Sequence, residues 1–178
     1  MAHLSETKLI NRAIQFQAGY GFNINLKPKS LAKATAFLSH SHKDRHLIAG
    51  LIQLWGEKGI SVYVDWNDEE MPKATSRITA ELIKKKIIEH DWFIIFATND
   101  AIQSRWVSWE IGVADQAIGP SRILMVPIAT YEGGEAYGSE YLDLYNRIEI
   151  NDTIHLLVLS PKGDVVNYSA KTFLESRP

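Results

Sequence analysis

Cysteine is absent from the 178 residues. That excludes a disulfide framework, a thiolate zinc site and a cysteine nucleophile, so any chemistry must come from oxygen and nitrogen groups. Charge of one sign is scarce as well: 19 Lys and Arg against 21 Asp and Glu leave a net charge of -2. Such a balance argues against a protein whose affinity rests on neutralising nucleic-acid phosphates or anionic lipid. No apolar run approaches the ~20 residues of a membrane span. The opening Met1-Ala-His-Leu-Ser-Glu6 also lacks the charged-then-apolar order of a secretory leader. The expectation is a soluble, cytoplasmic protein with neither a nucleic-acid nor a membrane partner. What is present is ordinary, 46% apolar and 22% charged residues, which suits a globular domain with one core.

Residues 1–33 read as an appendage. Leu4, Ile10, Ala13, Ile14 and Gln17 fall loosely on one helical face, and Gly19, Gly21 and Lys27-Pro-Lys-Ser30 break the pattern. From residue 34 the signal alternates. Strands are expected at Ala34–Ser39, Ile60–Asp65, Asp91–Ala97 and Arg122–Ile128, with Pro127 pointing to an edge or a strand end. Helices are expected between them. One carries Leu47, Ile48, Leu51, Ile52 and Trp55; the next Ile78, Leu82, Ile83 and Ile87; the third runs from Ile102 to Ala117. This order requires right-handed crossovers, hence a doubly wound, mostly parallel sheet with helices on both faces. A domain over 34–178 follows, with its core at 34–130 and a divergent part at 131–178. In that last part Tyr137–Tyr145 reads as a short helix and His155–Leu159 as a strand, with a hairpin onto Val165–Tyr168.

In such a sheet ligands bind beyond the carboxyl ends of the strands. Neither the dinucleotide glycine fingerprint nor the phosphate-cradling loop is present. His40, His42 and His46 lie close together, but no fourth ligand accompanies them, and a metal is not expected. The most informative segment is Ser104-Arg-Trp-Val-Ser-Trp-Glu110, where a spacing of four sets Trp106 one turn before Glu110. A carboxylate beside an indole can hold sugar hydroxyls and stabilise an oxocarbenium ion. On periodicity alone, core aromatics next to a surface glutamate is the stronger reading of the same residues.

Three boxes together resemble the Toll/interleukin receptor (TIR) domain, notably its stand-alone bacterial, NAD-consuming members of Thoeris-like antiphage defence. They are Phe37-Leu-Ser-His-Ser-His-Lys-Asp44, Val62-Tyr-Val-Asp65 with the loop after it, and Ser104–Glu110, in the family's order and spacing over roughly 34–128. The resemblance implies a flavodoxin-like sheet and an enzyme that splits NAD between nicotinamide and ribose, releasing ADP-ribose or a cyclic isomer. NAD is then a substrate, and no cofactor is implied. Glu110 matches the essential glutamate and Trp106 the tryptophan before it. Phe37, Ser39, His40, Ser41, Asp65, Ser104 and Arg105 fall where substrate contacts are expected. Some catalytic relatives carry arginines where this chain has Ser41 and His42, which leaves Lys43 or Arg105 for the phosphates. The loop Trp66-Asn67-Asp68-Glu69-Glu70-Met71-Pro72 corresponds to the family's assembly loop. It implies a homo-oligomer formed through TIR–TIR contacts, and the defence role implies a separate effector that responds to the product. The competing reading is a non-catalytic TIR scaffold, in which Glu110 is incidental.

Overall fold

The computed structural model describes residues 3–20, 35–65, 76–136, 142–150 and 155–176. The assembly loop at 66–72 lies outside them. Seven strands form one sheet: β1 (Leu4–Ser5), β2 (Ala36–Ser39), β3 (Trp92–Ala97), β4 (Ile123–Ala129), β5 (Asn146–Ile150), β6 (Leu156–Leu159) and β7 (Val165–Asn167). Beside them lie α1 (Glu6–Tyr20), α2 (Arg45–Glu57), α3 (Arg77–Glu89), α4 (Asn99–Ile102), α5 (Arg105–Ile118) and α6 (Ala170–Glu175). The order across the sheet is β2-β3-β4-β5-β6-β7, parallel through β5 and antiparallel beyond it, with β1 pairing in parallel with the end of β4.

Alternation along the strands explains the two layers. Ala36 and Leu38, Ile94 and Phe96, and Leu124 and Val126 join one buried cluster with Leu51 and Trp55 of α2 and Leu174 of α6. Phe37, Phe93, Ile95, Ile123 and Met125 point the other way, into a cluster with Ile83 and Ile87 of α3 and Val107 and Ile111 of α5. A strand covered on both faces has no polar side to display, which is why β2, β3 and β4 read as near-continuous apolar runs. Serine and threonine hydroxyls mark the helix starts. Ser76, Thr98, Ser104 and Ser169 accept from the backbone N–H three residues on, at α3, α4, α5 and α6 in turn, each cap contributing about 1 kcal/mol. Gly59 closes α2 at φ +74, a left-handed conformation that side chains disfavour.

Several expectations need correction. The stretch 60–65 is not a full strand: it touches β2 through a single Phe37–Tyr63 bridge, with Leu38 N donating to Tyr63 O at 3.0 Å and Tyr63 N to Ala36 O at 2.7 Å. The helix expected over 102–117 is two, split where Ser104 caps a new start. Pro127 does not mark an edge strand, since β4 lies between β3 and β5 and the proline sits near its end. Residues 142–144 form a 3-10 turn, whereas 137–141 lie outside the described residues. β5 was not foreseen at all. In α3 Thr79, not Ile78, joins Ile83 and Ile87 on the buried face.

The amino-terminal stretch packs onto the same sheet. Leu4 pairs with Ile128, and Leu4 and Ala13 face inward as expected, but Leu9 joins them in place of Ile10 and Ile14, which are exposed. α1 crosses α2 at Gly50, where an added Cβ would lie 2.1 Å from the Leu9 carbonyl oxygen. Only glycine permits so close a crossing.

A candidate active site at the carboxyl end of the second strand

β2 ends at Ser39, whose side chain follows Phe37 toward the α5 face. On α5 the buried positions are Val107, Glu110, Ile111 and Ala114, so a glutamate occupies a place in the apolar stripe. Glu110 is 4% exposed, which removes the reading of it as a surface residue. Ser39 Oγ donates to Glu110 Oε2 at 2.5 Å, at the short end for a hydroxyl on a carboxylate.

Burial dominates the electrostatics. Loss of hydration pushes the Glu110 carboxyl up to about 8; hydrogen bonds from Ser39 and the Trp106 side chain pull it back, and the negative charge of Asp65 adds to the rise. A carboxyl of this kind is mostly protonated at neutral pH in the empty site, and a cation placed beside it favours the ionised form. Such displacement is common where a side chain does chemistry.

Around Glu110 the cleft is lined by Phe37, Leu38, His40, His42, Asp65 and Trp106. The His40 ring lies between β2 and the stretch ending at Asp65. Its Nδ1 is 2.9 Å from Leu38 O and its Nε2 3.5 Å from Asp65 Oδ1. Burial lowers the His40 pKa, and the Asp65 charge opposes that.

The structure thus brings together Phe37, Ser39, His40, Asp65, Trp106 and Glu110. Three others are engaged differently. Ser104 Oγ is the α5 cap, Ser41 caps the short turn His42–Asp44, and Arg105 is exposed at the first position of α5. Lys43 pairs with Asp100 at 2.8 Å and lines a separate crevice with Glu6, Asp44 and His46. His42, considered from the sequence only as a metal ligand, and Leu38 are additional cleft residues. The stripe Val107–Ile111–Ala114 was the signal in the sequence that Glu110 points inward.

The mostly parallel sheet with helices on both faces agrees with the α/β fold of a TIR domain, and the buried carboxyl sits between β2 and α5 of it. The TIR domain family model matches residues 36–158, and the chain belongs to that family. Among curated proteins it is 27% identical over 160 residues to "Probable 3' cyclic ADP-D-ribose synthase ThsB'" of Bacillus cereus (strain MSX-D12), covering 82% of each chain. It is 28% identical over 108 residues to "Putative cyclic ADP-D-ribose synthase TIR2" of Cytobacillus dafuensis, covering 52% of this chain and 28% of that one. No helix among the described residues is long and apolar enough to cross a membrane.

Proposed function

We propose that this protein cleaves NAD at the bond between nicotinamide and ribose and closes the remainder into a cyclic ADP-ribose. The observation that carries the reading is Glu110, buried and hydrogen-bonded by Ser39 beside Trp106. The names borne by the two relatives support the cyclic product. The Trp106 ring would meet the positively charged pyridinium, a contact contributing about 0.5–2 kcal/mol. As the C–N bond lengthens, positive charge grows on the anomeric carbon, and ionised Glu110 stabilises it where little water competes. Nicotinamide departs neutral, so its departure calls for no strong acid.

In this reading the cyclic nucleotide is a signal to a separate effector in antiphage defence, and copies of the chain assemble to complete the site. Incubating the purified protein with NAD, with chromatographic identification of nicotinamide and the nucleotide product, tests it. Glu110→Ala and Glu110→Gln are expected to abolish nicotinamide release, and undiminished turnover in both would overturn the assignment. Specific activity that rises with protein concentration is expected of assembly, and a concentration-independent value in a monomeric preparation contradicts it.

A further inference from the structure

Cleavage of NAD leaves a second task. In hydrolysis, and in closure onto one of the substrate's own sugar hydroxyls, the attacking group is a hydroxyl whose proton needs an acceptor. Glu110 is poorly suited, because protonating it removes the negative charge that stabilises the developing cation. The cleft offers another carboxylate. Leu38 O can only accept, so His40 Nδ1, 2.9 Å away, carries the ring hydrogen. In the neutral ring Nε2 is then an acceptor, and it faces Asp65 Oδ1, also an acceptor when ionised, at 3.5 Å. Adding one proton to Asp65 converts this opposition of lone pairs into an O–H···N hydrogen bond. Both side chains line the cleft, and Asp65 is the less buried of the two, 14% exposed against 3% for His40.

Resting on the NAD reading, we infer that Asp65, backed by His40, is the general base of the acceptor step. The anomeric C–N bond breaks with its electron pair going to the nicotinamide nitrogen. The acceptor oxygen bonds to the same carbon, and its proton passes to Asp65 and is then shared with His40 Nε2. The positive charge that NAD brings on its pyridinium thus leaves as that proton. Asp65 is the catalytic residue, and His40 is a positioning residue that acts through it.

A pyridine acceptor has no proton to lose, and this separates the base from every other role. Wild type and Asp65→Asn are compared with NAD alone and with NAD plus 3-acetylpyridine, following the cyclised or hydrolysed product and the exchanged dinucleotide. At pH 9, where Glu110 is largely ionised with or without the Asp65 charge, Asp65→Asn should lose about 100-fold in the first reaction and stay within about threefold in the second. His40→Gln should show the same split with a smaller loss, about tenfold. Equal loss of both reactions in a folded variant, or unchanged cyclisation, overturns the assignment. If Asp65→Asn does not fold, Asp65→Glu and His40→Gln supply the comparison. A wild type that releases no nicotinamide overturns the NAD reading instead.

Discussion

Ser39 and Glu110, 71 residues apart in the chain, are joined by a 2.5 Å hydrogen bond in the buried end of the sheet. The serine can only donate to the ionised carboxylate, so it favours the charged form against the burial that opposes it. Ser39→Ala should therefore raise the proton affinity of Glu110. The alkaline-rising limb of kcat/KM for nicotinamide release, expected near pH 8 in the parent, should move up by about one unit. A pH–rate profile of both proteins checks this, and an unmoved limb refutes it.

Glu110 should also weaken the fold as pH rises. Burial pushes its carboxyl up to about 8 in the folded chain, against an ordinary value of 4.5. Between those values the unfolded chain has released a proton that the folded one keeps, so stability declines with rising pH through that window and levels off above it. Glu110→Gln lacks the penalty. Thermal melts should show the variant more stable than the parent near pH 9, by on the order of 5–10 °C, and equal near pH 5. The substitution that removes activity is thus expected to strengthen the fold.

Trp106 packs against Trp109 with ring centroids 4.8 Å apart and is partly buried. Loss of the indole in Trp106→Ala should lower kcat/KM by about 3- to 30-fold through the cation contact alone. Trp106→Phe, which keeps an aromatic face, should recover part of it. Steady-state kinetics on the two variants decide the point, and parental activity in both would remove the indole from the site.

Two glycines make opposite predictions. Gly50→Ala places a Cβ 2.1 Å from the Leu9 carbonyl, so α1 and α2 must move apart, at a cost of about 1–3 kcal/mol. Gly112 is exposed within α5 with nothing within 4 Å of an added Cβ. Gly112→Ala should stabilise by about 1 kcal/mol. Chemical denaturation measures both.

Much of the architecture was legible because the central strands carry apolar side chains on both faces. Phe93 and Ile95 face one layer, and Ile94 and Phe96 the other, and this leaves a run no helix periodicity imitates. β5 was not legible: Asn146-Arg-Ile-Glu-Ile150 carries Arg147 and Glu149, which pair with each other at 2.6 Å while Arg147 also donates to the carbonyls of Ser160 and Pro161, just past β6. The break before α5 was hidden because Ser104 lies within a segment that reads as continuous helix. In the site, the Trp106–Glu110 pairing could be read from a spacing of four. The approach of Ser39, His40 and Asp65 could not, because it depends on how strands far apart in sequence lie side by side.

The short pairing of Leu4 and Ser5 with Ile128 and Ala129 has a practical bearing. Expression boundaries drawn where the family match begins would cut away part of the sheet and strip the cover from α2. The exposed apolar surface would invite clumping in solution, and a lifeless preparation made that way would be mistaken for an inactive enzyme.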